Sequence, residues 1–116
     1  QGDRLLNIFK GNTRMNIFDL PPLPLAQELT TILAQNKCVR VERIVSTGQT
    51  SHWYDQVESE LVVLLQGTAT IEFEGGYLTE LTGGDTLVIP PHKRHRVAFT
   101  STQPACIWLC VFWKDS

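Results

Sequence analysis

From about residue 38 onward, apolar and polar positions alternate with a period of two, the spacing of strands that bury one face. Val39, Val41, Arg43 and Val45 alternate with Arg40, Glu42 and Ile44, and Ala69, Ile71 and Phe73 alternate with Thr68, Thr70, Glu72 and Glu74. Gly75-Gly76 turns the chain into a strand over Tyr77 to Leu81. Gly83-Gly84-Asp85 turns it into a shorter one, Thr86 to Ile89, which Pro90-Pro91 stops. Further strands are expected over Leu61 to Gln66, His95 to Phe99 and Ala105 to Trp113. Many short strands with glycine turns at near-regular spacing predict an antiparallel sandwich or barrel.

Upstream the periodicity differs. After a Pro21-Pro22 turn, Pro24 stands at a first helical position, and Leu25, Leu29, Ile32 and Leu33 recur at helical spacing up to Asn36. This predicts one amphipathic N-terminal α-helix over 24–36. Residues 1–20 read as an N-terminal extension and 21–116 as a single domain, with the barrel over 38–113. The triplet Asn-Ile-Phe occurs at Asn7 to Phe9 and again at Asn16 to Phe18, too short a recurrence for a repeat architecture.

The last strand, Ile107 to Trp113, is apolar on both faces, so its outer face needs a cover. The amphipathic helix, the N-terminal segment or a second copy could supply it; a homodimer is the expectation, with Trp108 and Phe112 as the outward aromatics.

At 116 residues the chain has room for one core. A net charge of −2 offers no basic face for nucleic acid, and Lys93, Arg94 and Arg96 read as a solvated loop. Arg40, Glu42 and Arg43 read as surface pairing. Cys38, Cys106 and Cys110 have no metal-site or disulfide spacing and imply free thiols, hence a reducing compartment. No run reaches the ~18 apolar residues of a membrane span. A cytoplasmic location is expected. There is no nucleophile triad, phosphate loop or dinucleotide fingerprint.

Candidate chemistry sits in two glycine-anchored segments separated by sixteen residues. Glu60 precedes an apolar strand and shares its face with Val62 and Leu64, where a carboxylate is costly to bury unless paired, protonated or metal-bound. A surface carboxylate is the plainer alternative. His95 shares its face with Val97 and Phe99 and reads either as a core histidine donating to a backbone carbonyl or as a ligand. If Tyr54 and Gln56 point inward, Trp53 and Asp55 point outward.

The first segment runs Gly48, five residues, Tyr54, one residue, Gln56, three residues, Glu60, six residues, Gly67. The second runs Gly84, five residues, Pro90, one residue, His92, two residues, His95. These spacings resemble the two motifs of the cupin family, and the run Trp53-Tyr54-Asp55-Gln56 with Ile89 to Val97 is similar to a subgroup of short single-domain cupins. The resemblance implies an all-β double-stranded β-helix, the cupin jelly-roll barrel. In the family, two histidines and a glutamate of the first motif and a histidine of the second bind one metal ion. By position that set is Tyr54, Gln56, Glu60 and His95, of which only Glu60 and His95 keep the family's residue type; His92 stands where the family has glycine.

The resemblance implies a divalent transition metal, zinc, iron, manganese or nickel, and a small-molecule ligand. Loss of two imidazoles weakens that site, because an amide oxygen is a poor donor and a phenol must first lose its proton. His52 and His92 are the candidates to restore nitrogen ligation or to contact the ligand, and Tyr54 or His92 to give or take a proton. Two functions follow. One is a metal-dependent oxygenase or isomerase acting on a small polar metabolite; the alternative is a non-catalytic binding or sensing module with a degenerate metal site.

Overall fold

The computed structural model describes residues 14–115. Its strands are β1 (Leu29–Gln35), β2 (Val39–Ser46), β3 (Ser59–Gln66), β4 (Thr68–Phe73), β5 (Tyr77–Thr82), β6 (Thr86–Ile89), β7 (His95–Thr100) and β8 (Cys106–Trp113). They form a five-stranded sheet in the order β1-β2-β8-β3-β6 and a three-stranded sheet in the order β5-β4-β7, with every pairing antiparallel. This is the all-β jelly roll. No helix among the described residues is long and apolar enough to cross a membrane.

The helix expected over 24–36 is absent, and its second half is strand β1. Leu29 to Ile32 pair with Val45 to Glu42, and a bulge between Ile32 and Ala34 then shifts the register. An extra residue in a strand breaks the period of two, so Leu29, Ile32 and Leu33 imitate helical spacing. The β-branched run Thr30-Thr31-Ile32 favours the extended form, and the free edge of β2 supplies the hydrogen bonds that select it. The prediction failed because it lacked the partner strand.

The core lies between the two sheets. Val62, Leu64, Ala69, Ile71, Leu81, Ile89, Cys106, Trp108, Cys110 and Phe112 form one buried cluster. On β8 the even-numbered residues face this core. Trp108 and Phe112 are therefore inward, contrary to the expectation, and the outer face carries Leu109, Val111 and Trp113, all half-buried. Trp108 is 4 % exposed, and its indole N–H donates to Ser46 Oγ at 3.2 Å. A buried indole needs such a partner, which holds its orientation.

On β2 the polar residues Arg40 and Glu42 face inward beside Ile44, while Arg43 is buried on the opposite face and donates to the carbonyls of Asp19 (2.6 Å) and Ile17 (3.3 Å). Surface pairing is thus corrected for all three. On β7, a register shift opposite Thr70/Ile71 breaks the alternation beyond Val97 and leaves Phe99 51 % exposed instead of on the His95 face.

Candidate functional site

The two glycine-anchored segments are joined by backbone hydrogen bonds outside the main strands. Tyr54 N–H donates to His95 O at 2.7 Å, and His95 N–H donates back to Tyr54 O at 3.1 Å. Ser51 N–H donates to Val97 O, and His92 N–H to Gln56 O at 2.7 Å. Segment 51–56 is thereby held along β7. Alternation then turns Tyr54 and Gln56 inward while Asp55 is exposed and Trp53 lies beneath the Arg94 and Arg96 guanidinium groups, 5.3 and 5.4 Å from its ring.

Tyr54, Gln56, Glu60 and His95 line one interior cavity of about 240 Å³. Its floor is apolar, formed by Val62, Ile71, Ile89, Trp108 and Phe112, and its remaining polar wall comes from Glu28, Thr30, Arg40 and Glu42. Sequence reasoning missed that second wall. Glu28 lies ahead of a strand read as helix, and the side of β2 that carries Arg40 and Glu42 looked like a solvated face.

His95 is 3 % exposed, and its Nδ1 lies 2.8 Å from the Lys93 carbonyl. A carbonyl only accepts, so Nδ1 carries a proton and Nε2 turns into the cavity. Nε2 stands 3.9 Å from Glu60 Oε1, beyond hydrogen-bond range. The reading of a core histidine bonded to a backbone carbonyl describes Nδ1, while Nε2 faces the cavity. Glu60 Oε1 accepts from the Gln56 amide at 3.1 Å. Glu60 also shares a hydrogen bond with the Cys110 thiol, whose pKa burial pushes well up.

His52 and His92 stand apart from this group. Both are exposed and neither lines the cavity. His52 packs on the ring of Tyr54 with centroids 4.6 Å apart. His92 adopts φ 61°, the left-handed conformation for which glycine suits the family position, and its Nδ1 pairs with Asp55 Oδ1 at 2.7 Å.

Burial raises the pKa of Glu60, against the Gln56 hydrogen bond, which lowers it. Burial, then the charges of Glu28 and Glu60, raises that of the Tyr54 phenol. Glu28 shifts upward for the same leading reason, opposed by a hydrogen bond from Ser46 Oγ at 3.4 Å. A carboxyl whose folded pKa lies above its unfolded value binds its proton more tightly in the native state. Its contribution is therefore complete below the unfolded pKa and is lost as pH rises through the folded one. The protein should be more stable in mild acid than at neutral pH, and Glu60→Gln should flatten that slope and stabilise the fold at neutral pH by on the order of 1 kcal/mol, with a higher melting temperature there. Calorimetric melting from pH 4 to 8 measures both; an unchanged slope in the variant would place the titrating group elsewhere.

The donor set does not fit a tightly held transition metal. One imidazole and one carboxylate are strong donors, the Gln56 amide nitrogen is turned toward Glu60, and the phenol is held protonated. Among the described residues, no group of three or more His, Cys, Asp or Glu side chains is placed to hold a metal ion.

The Cupin domain profile matches residues 40–112, and the chain belongs to the cupin family. It is similar to the crystal structure of a proposed mannose-6-phosphate isomerase from Ralstonia eutropha, with 36 % identity, 88 % of this chain and 98 % of that chain covered, and a TM-score of 0.83. A cupin superfamily protein from Desulfitobacterium hafniense is 24 % identical over 82 % of this chain and 84 % of its own, with a TM-score of 0.72. The polyketide cyclase RemF of Streptomyces resistomycificus is 14 % identical over 78 % of this chain and 67 % of its own, with a TM-score of 0.67. The last two likenesses carry the fold alone. No protein with a curated description matches the chain.

Proposed function

We propose that this chain is a cupin that binds a small polar molecule directly through His95, Glu60, Tyr54 and Gln56, without a tightly held transition metal. The observation that carries this reading is the contact of the Gln56 amide nitrogen with Glu60 (3.1 Å), which leaves one imidazole and one carboxylate as the strong donors among the four motif positions. An apolar floor with a few convergent polar groups is the usual make-up of a small-molecule pocket. Elemental analysis of protein purified without chelators or added metal should give well below one zinc, iron, manganese or nickel per chain, and added ions should leave the melting temperature unchanged. One ion per chain, lost in His95→Ala, would overturn the reading.

A second reading, a metal-dependent isomerase, draws on the 36 % identical protein named for mannose-6-phosphate isomerase activity. Its weakness here is charge. A sugar phosphate needs a cationic partner, and Arg40, the one cation lining the cavity among the described residues, is bonded to Glu42 at 2.6 Å and Glu58 at 2.8 Å. The half-buried apolar outer face of β8, with Leu109, Val111 and Trp113, supports pairing of two copies there, which light scattering at micromolar concentration tests.

A further inference from the structure

We infer that the cavity takes a small organic cation, an ammonium or amidinium group on a short apolar body, seated between His95 Nε2 and the carboxylates of Glu60 and Glu28. This rests on the reading of the cavity as a metal-free small-molecule site and names the ligand class.

The first observation is that the donor groups of the wall, Arg40 and Gln56, are already held by carboxylates. All three nitrogens of Arg40 are engaged, Nε with Glu42 and both Nη with Glu58, and its guanidinium lies over the Phe112 ring at 4.3 Å. The Gln56 amide nitrogen is engaged with Glu60. One hydrogen on each Arg40 Nη and one on Gln56 Nε2 are left over, on groups already held by carboxylates; the acceptors facing the cavity are His95 Nε2 and the oxygens of Glu28 and Glu60, together with the two hydroxyls of Tyr54 and Thr30, which can play either role.

The second observation is His95 itself. It is more than nine-tenths buried, yet Nε2 faces the cavity with no hydrogen bond, and Glu60 Oε1 stands 3.9 Å from it. In the neutral ring Nδ1 holds the proton, so Nε2 presents a lone pair. Two acceptors 3.9 Å apart are both satisfied by one group with several hydrogens, and an ammonium or amidinium is such a group.

Charge points the same way. The cavity is lined by three glutamates, Glu28, Glu42 and Glu60, against one guanidinium, and that guanidinium is shared with a fourth carboxylate, Glu58. A carboxylate or phosphate ligand would meet this field with no free cation to answer it, whereas a cation relieves it. Burial is the leading cause of the upward pKa shifts of Glu28, Glu60 and Tyr54; the charges of Glu28 and Glu60 come next at Tyr54, and that of Glu42 adds least at the two carboxyls. The apolar floor of Val62, Ile71, Ile89 and Trp108 would bury the ligand's hydrocarbon part.

The test is calorimetric titration of the metal-free protein with n-butylammonium, 1-butanol and butyrate at matched, low ionic strength, with the Trp108 indole resonance as a reporter of entry. The expected result is an ammonium dissociation constant at least about tenfold below that of butanol, with butyrate weakest. Glu60→Gln and Glu28→Gln should each weaken the ammonium by about tenfold and leave butanol unchanged, a pattern that loss of folding would not produce. Butanol or butyrate binding as tightly as the ammonium would overturn the cation assignment and leave the metal-free site standing. If none of the three binds until zinc is added, both readings fall.

Discussion

A Tyr54→His, Gln56→His double variant should bind one zinc or nickel ion per chain with an affinity on the order of 100-fold or more above that of the native protein. The reason is placement. Tyr54, Gln56, Glu60 and His95 already line one cavity, and the reciprocal hydrogen bonds between Tyr54 and His95 hold the two motifs in contact. What the native site lacks is donor chemistry: two imidazoles would supply nitrogen lone pairs at neutral pH, where the present phenol keeps its proton. The new histidines would also free Glu60 from the Gln56 amide. Binding selective for the folded state stabilises it, by ~2.7 kcal/mol when the free ion is at 100 times its dissociation constant. Melting temperature against zinc concentration is therefore a sufficient readout. A folded double variant that takes up no more zinc than the native chain would show that the four positions do not converge.

The second large effect concerns the core. Trp108→Ala should destabilise the domain by about 4 kcal/mol, a large part of the 5–15 kcal/mol typical of a folded domain. Trp108 is 4 % exposed within the central cluster, so its removal opens a cavity between the sheets and takes a donor from Ser46 Oγ. Trp113, on the outer side of the same strand and only half-buried, is the control: its replacement by alanine should cost roughly a quarter as much. Urea unfolding of the two variants separates them. Equal losses would mean that β8 presents both aromatics to the same environment, against the assigned register.

Within the site, the sequence carried the frame and missed half the wall. The resemblance of the segments from Gly48 to His95 to the two cupin motifs implied that Tyr54, Gln56, Glu60 and His95 lie together, and the turn glycines mark where the strands begin. Gly48, Gly67 and Gly84 each take a positive φ, at 93°, 94° and 98°. At Gly67 an added Cβ would also lie 2.9 Å from Cys106 Sγ and 2.8 Å from Ser101 Oγ, so that position needs glycine twice over.

Local sequence thus determined the number and period of the central strands, since each depends on residues close together in the chain, whereas the inward turn of Tyr54 and Gln56 needed the pairing of segment 51–56 with the distant His95 and Val97. Tertiary structure alone decided the rest. Leu29 to Gln35 became a strand because β2 offered an edge and a bulge absorbed the misfit. Trp108 and Phe112 went inward because β8 is flanked by β2 and β3, whose registers set its faces. Glu28, Arg40 and Glu42 became cavity wall only once β1 and β2 joined β8 in the five-stranded sheet. A polar residue on an alternating strand looks the same whether its face meets water or a ligand cavity. The difference lies in what packs opposite, and that is a property of distant segments.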